Sequence, residues 1–287
     1  MNKKIIIWRF EDGKAGHDKQ SLALVKNIKQ LIKCEVINLP IQNLSNPLVG
    51  IIFKNFYLPK GFNRPDIAIG AGHKTHLYLL AVKRSFKAKI IVIMKPSLPL
   101  SLFDLCVAPK HDCIKKRANV FSTNTSLVNF SLPKKKEIEG LFLIGGPSKH
   151  YNWDTDKVLE QIRKIKRKFK SVKLLLTTSR RTPESFISEL KNLYSNDIEI
   201  YEYSKIKNEW LSNNITKVKN IWVTNDSYSM IIEAIASGAN TDILDLKIKR
   251  NSKLTREINL IKRQLRKKIP IQDEAKRTSE FIQKLWF

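Results

Sequence analysis

Three stretches in the second half of the sequence put phosphate-binding chemistry directly after apolar runs. The first is Leu141–Ile144, which runs into Gly145, Gly146, Pro147 and Ser148. Paired glycines let backbone approach a ligand closely and adopt positive φ. Their amide hydrogens, with the Ser148 hydroxyl, suit an anion such as a diphosphate. The second is Val172–Thr177, followed by Thr178, Ser179, Arg180 and Arg181, whose guanidinium forks match phosphate oxygens. In the third, Val223 leads into "TNDSYSMIIEAIASG". Asp226 or Ser227 can cap a helix there, leaving N–H groups for phosphate. Asp226, Ser229 and Glu233 then share one face, and Glu233 can accept hydrogen bonds from vicinal sugar hydroxyls. Taken singly, these are also readable as a tight turn, a polar loop with surface arginines and an ordinary capped helix. Neither a Walker loop nor a GxGxxG fingerprint is present.

The first half carries the matching set. "EDGKAGHDKQS" follows an apolar run and offers Gly13, Lys14, Gly16 and His17. An imidazole at a helix start can act as a general base near neutral pH. "IGAGHKTH" supplies His73, Lys74 and His76, and "APKHDC" supplies Lys110, His111 and Asp112. Two histidines three apart lack a third metal ligand, so no metal is expected, and no cofactor. Cys34, Cys106 and Cys113 are odd in number and match no metal spacing; they read as buried or idle thiols.

The elements that position these residues alternate. Candidate strands are Lys4–Trp8, Glu35–Leu39, Asp66–Ile69, Lys89–Met94 and Asp104–Ala108, then Leu141–Ile144, Val172–Thr177, Ile198–Tyr203, Asn220–Val223 and Asp242–Leu246. Helical stripes lie between them, as at Leu22, Val25, Ile28 and Ile32, over 74–84, and at Val158, Ile162, Ile165 and Phe169. Buried apolar strands alternating with helices predict parallel sheets. The pattern restarts after a charged, proline-bearing stretch at 131–140. The expectation is therefore an α/β chain of two Rossmann-like, doubly wound domains facing across a cleft: 1–133, 134–250, and helices over 251–287 that pack back on the first domain. Every polar loop above follows a strand, where ligands of open parallel sheets sit.

At 287 residues and 42% hydrophobic, the chain can bury two cores. No apolar run nears the roughly 20 residues of a membrane span, and the N-terminus reads as a first strand, so a cytosolic protein is expected. The formal charge of +27 is carried largely on helix faces. It reads first as solvated helix faces in a chain rich in Ile, Asn and Lys; as a partner, anionic lipid headgroups are favoured over nucleic acid. The stretch 46–62 sets apolar and aromatic residues beside Lys54, Lys60 and Arg64, and could dip into a headgroup layer.

"DGKAGHDKQS", "KPSLPLSLFDLCVAPKHD", "LIGGPSKHYNWD", "LLLTTSRRTP" and "VTNDSYSMIIEAIASG" together resemble the mitochondrial-fission "elongated mitochondria" family. Its bacterial members are regarded as glycosyltransferases of lipooligosaccharide outer-core assembly. The resemblance implies the two-domain glycosyltransferase-B (GT-B) fold. With no DxD carboxylate pair present, the expected reaction is metal-independent transfer from a nucleotide-sugar donor to a lipid-linked saccharide, by a protein peripheral on the inner face of the cytoplasmic membrane. The resemblance further implies that Glu233 binds ribose, that Gly145, Gly146 and Ser148 hold the diphosphate, and that Gly16 and His17 lie beside the acceptor. Two departures stand out: Lys95 occupies the acidic position of "MDP", and "ANTDILDL" lacks the usual proline. Sugar epimerases that share the fold, and non-enzymatic adaptors of the fission type, are the alternative functions.

Overall fold

Strands buried on both faces need apolar, largely β-branched side chains at every position, and that composition governs both sheets. The computed structural model describes residues 4–57, 61–130, 136–170, 172–194, 196–206 and 210–287. The chain divides into two compact units, Met1–Asn129 with Gln272–Phe287, and Phe130–Ile271. The proposed boundary at 133–134, and 131–135 of the expected linker, lie outside the described residues.

In the first unit the strands are β1 (Ile5–Glu11), β2 (Cys34–Pro40), β3 (Ile67–Ala71), β4 (Lys89–Ile93), β5 (Leu105–Pro109) and β6 (Val120–Thr123). They form one parallel sheet in the order β2-β1-β3-β4-β5-β6. Alternate residues face opposite cores. Ile7, Ile69, Ile91 and Val107 pack with Leu24 and Ile28 of α1 (Ala15–Leu31), whereas Trp8, Ala68, Ile90 and Cys106 pack on the other side with Leu79 and Val82. That second side is covered by α2 (Pro47–Phe53) and α3 (His76–Phe86). The thiol of Cys106 is buried, which pushes it up to about 12.

His76 is buried at the start of α3, edge-on to Phe103 at 5.5 Å, with Nδ1 3.3 Å from Ser97 Oγ. Burial, and secondarily His73, push its pKa below the ordinary 6.5. The unfolded chain therefore binds this proton more tightly than the folded one. Stability contributed by neutral His76 is complete above 6.5 and is lost as the pH falls toward the lower folded value. Urea unfolding from about pH 8 to about pH 5.5 should show stability declining on the acid side, with a shallower slope in His76→Gln.

The second unit contains β7 (Ile138–Leu143), β8 (Tyr151–Asn152), β9 (Leu174–Thr177), β10 (Ile198–Tyr201), β11 (Val218–Thr224), β12 (Asn240–Leu244) and β13 (Lys247–Ile248). Its main sheet is parallel in the order β10-β9-β7-β11-β12, while β8 and β13 pair antiparallel. Helices α4 (Thr155–Lys166), α5 (Glu184–Tyr194), α6 (Trp210–Asn214), α7 (Tyr228–Ala236) and α8 (Lys253–Arg266) complete it. Phe142 and Trp222 stack at 4.8 Å across neighbouring strands, and a Cβ at Gly140 would lie 2.4 Å from the Trp222 ring.

The tail divides between the units. Helix α8 remains in the second, and only α9 (Glu274–Trp286) belongs to the first. Ala275 and Ile282 of α9 enter the core that α1 covers, and Phe281 stacks on Phe121 at 4.6 Å.

Candidate functional site

In the second unit β7 has β9 on one side and β11 on the other, so the winding direction reverses between β7 and β11. A crevice opens at such a reversal, beyond the carboxyl ends of the strands. The three loops selected from the sequence leave β9, β7 and β11, which are adjacent strands. They are bonded to one another. Asp226, just after β11, is buried; its Oδ2 accepts from Gly146 N at 3.1 Å and lies 2.7 Å from Arg181 Nη2. Arg181 Nη1 donates to the carbonyls of Gly146 at 3.2 Å and Pro147 at 3.0 Å. Thr182 Oγ1 donates to Ile144 O at 3.2 Å and accepts from Ser179 N at 2.8 Å. Thr224 Oγ1 accepts from Gly145 N at 2.8 Å.

These bonds change the role expected of the glycines. Both amides donate within the protein rather than standing open to an anion. Neither glycine is among the residues with positive φ. What requires them is space. A Cβ on Gly145 would sit 2.2 Å from both Asp226 carboxylate oxygens, and one on Gly146 would sit 2.0 Å from the Arg181 carbonyl oxygen. Ser148 is likewise engaged, its Oγ accepting from His150 N at 3.2 Å and Tyr151 N at 3.1 Å. Asp226 does not share a helix face with Ser229 and Glu233, because α7 begins only at Tyr228 and the carboxylate is spent on Gly146 and Arg181.

The groups that still face outward are Arg180, Arg181 and the start of α7. Arg180 is exposed, its guanidinium 5.9 Å from the centre of the Tyr203 ring. The Arg181 side chain keeps 40% of its exposure despite its pairing. Ser227 occupies the cap position of α7 but makes no side-chain capping bond. Ser229 is exposed and Glu233, one turn on, is half-buried. Behind this surface, Tyr151 is 1% exposed and its hydroxyl is pushed up to about 12 by burial, then by Asp226 and Asp245. Neither its oxygen nor Asp226 Oδ1 has a hydrogen-bond partner among the described residues.

In the first unit β1 lies between β2 and β3, so the reversal falls between β1 and β3. The loop after β1 contains Asp12, whose carboxylate is fully buried and lies 2.8 Å, Oδ2 to Nδ1, from His17. Asp12 Oδ1 accepts from Lys14 N at 3.0 Å. After β3, Gly72 adopts φ +81, and a Cβ there would be 2.3 Å from His17 Nδ1. The imidazole thus rests on bare backbone at the reversal and is gripped from behind by a carboxylate. Sequence reasoning passed over Asp12 and Gly72, although "EDGKAGH" contains the carboxylate–imidazole spacing.

Gly13, at φ +77, Lys14 and Gly16 are exposed around the start of α1. His73 is exposed in the turn before α3 while His76 is buried, so the pair does not converge on one ligand. His111 follows β5, and β5 lies three strand spacings, or about 14 Å, from β1. The Nε2 of His111 lies 3.7 Å from Asp112 Oδ1. Asp112 Oδ2 also accepts from Lys95 N at 3.3 Å, so a carboxylate reaches the turn that holds Lys95. Among the described residues, no three His, Cys, Asp or Glu side chains are grouped to hold a metal ion.

The family model described as Mitochondrial fission ELM1 matches residues 15–280, a span holding the β7–β11 reversal. The chain belongs to the Mitochondrial fission ELM1 family. This ELM1-family chain is 26% identical to the uncharacterized protein RP120 of Rickettsia prowazekii (strain Madrid E), over 81% of each chain. Among solved structures, it is similar to a Listeria monocytogenes protein described as a UDP-N-acetylglucosamine 2-epimerase, with TM-score 0.55 and 12% identity over 98% of this chain and 95% of that one. It is also similar to the UDP-GlcNAc 2-epimerase of Methanocaldococcus jannaschii, with TM-score 0.52 and 12% identity over 98% and 99%. At such identities the likeness is one of fold: two Rossmann-like domains, the GT-B architecture.

Proposed function

We propose that this ELM1-family chain is a nucleotide-sugar enzyme that transfers a glycosyl group to a lipid-linked saccharide. One observation carries the reading. At the β7–β11 reversal, Arg181 meets the residues that lead into a helix start without a side-chain cap, and Arg180 stands exposed beside it in the loop after β9. A diphosphate is the ligand that such a set of donors matches. Glu233, one turn beyond Ser229, would accept from ribose hydroxyls. As the sugar–oxygen bond breaks, negative charge grows on the departing diphosphate. The two guanidiniums and the α7 amides are preorganised to meet it.

In the first unit, a hydrogen bond from Nδ1–H to Asp12 leaves His17 Nε2 with its lone pair free to act. That nitrogen takes the proton of the acceptor hydroxyl, whose oxygen then forms the new bond to the anomeric carbon. A lipid-linked acceptor places the protein at a membrane surface, in keeping with its +27 charge. No helix among the described residues is long and apolar enough to cross a membrane.

Epimerisation of a UDP-sugar is the second reading, favoured by the names of the two structural relatives and by a carboxyl beside His17. Burial, then Glu11 and Asp12, raise the pKa of Asp18. Thermal unfolding with UDP, ADP, GDP and CMP at about 100 times the dissociation constant tests nucleotide binding. A stabilisation of about 2.7 kcal/mol is expected with one nucleoside diphosphate, and should vanish in Arg180→Ala and Glu233→Ala. Turnover of a nucleotide sugar without any acceptor selects the epimerase. Stabilisation by none of the nucleotides removes both readings.

A further inference from the structure

Exposed large apolar side chains gather on one short segment of the first unit. Leu48 and Val49 are each 47% exposed, Ile52 64%, Phe53 72% and Tyr57 61%. The first four stand at i, i+1, i+4 and i+5 of α2, one face of a helix. The opposite face is fixed. Pro47 and Gly50 are buried, a Cβ on Gly50 would lie 2.9 Å from Ala81 Cβ, and Phe56 is 2% exposed. Asn46 caps α2 by accepting from Leu48 N at 3.0 Å. Ser85 Oγ accepts from Phe56 N at 2.9 Å and donates to Gly50 O at 3.3 Å. The ridge is therefore held rigidly outward rather than left loose.

Charge identifies what it meets. Between residues 41 and 103 the sequence has nine Lys and Arg and a single acidic residue, Asp66. Lys54 sits at the end of α2, Arg64 follows the exposed Phe62, and Arg84 and Lys87 are exposed beside the Ser85 clasp. An apolar ridge rimmed by cations and lacking exposed carboxylates fits an anionic bilayer surface. Apolar groups enter the acyl boundary while ammonium and guanidinium groups stay among the headgroups. The sequence has no acid between 41 and 65, so the counter-charge for these cations must come from the occupant, as anionic headgroups supply it.

The geometry points to the α2 ridge, with Lys54, Arg64, Arg84 and Lys87, as a docking surface for an anionic lipid bilayer. This deepens the reading above, resting on it only for the lipid-linked acceptor that brings the protein to the membrane.

Sedimentation of the full chain with vesicles of phosphatidylglycerol in phosphatidylcholine, against pure phosphatidylcholine, tests it. The wild type should pellet with the anionic vesicles and much less with neutral ones. Ile52→Ser with Phe53→Ser should lower the partition by roughly tenfold or more. Lys54→Glu with Arg84→Glu should lower it about tenfold, in a salt-dependent way. Both pairs should keep the wild-type unfolding midpoint and nucleotide stabilisation. The proposal is overturned if the wild type stays in the supernatant, if it pellets equally with neutral vesicles, or if both pairs pellet like the wild type. It is also overturned if the ridge variant turns a sedimenting dimer into a monomer while vesicle partition is unchanged, for then the ridge meets a second copy. Vesicle binding without any nucleotide response leaves this surface standing and removes the donor-site reading alone.

Discussion

Gly146→Ala is expected to destabilise the second unit by about 3 kcal/mol, the upper end of the usual cost of a side chain forced into filled space. The added methyl meets the Arg181 carbonyl oxygen at 2.0 Å, and that atom is backbone, so it cannot swing aside as a flexible side chain could. Shifting it strains Arg181, whose side chain ties Gly146 and Pro147 to Asp226. The midpoint of thermal unfolding should drop by roughly 10 °C. Gly16→Ala is the matched control: nothing lies within 4 Å of a Cβ there, and the position is in the first turn of α1. That substitution should be neutral or stabilise by up to about 1 kcal/mol, because alanine favours helix over glycine. If the two variants melt together, the close packing of the switch-point loops is wrong.

His17→Ala should lower kcat by about a hundredfold to ten-thousandfold in the transfer reaction, the usual scale for a general base. Donor affinity should be unchanged, because the donor groups belong to the second unit. Asp12→Asn should also lower kcat markedly. The amide cannot serve as the carboxylate that keeps the proton on Nδ1, so it weakens the hold on the reactive tautomer. Its role is positioning, through His17. Asp12→Asn in a His17→Ala background should therefore cost nothing further. Full activity in His17→Ala would remove the base assignment, and additive losses would show that Asp12 acts independently of the imidazole.

The fold was legible because its dominant signal is local. Ten apolar runs mark ten strands, with ends displaced by a few residues. β6 escaped because it is short and mostly half-buried, and β8 and β13 because two residues carry no period. The site was legible only as loops. Gly145 and Gly146 announce that space is scarce, yet the carboxylate crowding Gly145 is Asp226, which also accepts from Gly146 N 80 residues away. Pairing at that distance is set by strand order, which one sequence does not display. His17 was found by residue type, but its partner Asp12 was missed because their bond depends on how the loop after β1 turns into α1 at Ala15, which residue types alone do not display.

The discontinuity of the first unit bears on biosynthesis. Its core is unfinished until Ala275 and Ile282 arrive, after all of the second unit has been translated. Domains usually fold in the order in which they emerge from the ribosome. Here the unit begun first closes last, so the apolar flank of α1 that α9 will cover stays bare through most of translation. During that interval the nascent chain offers chaperones a sticky groove, and a ribosome stalled before codon 272 would release a product with a complete second unit and an open first one.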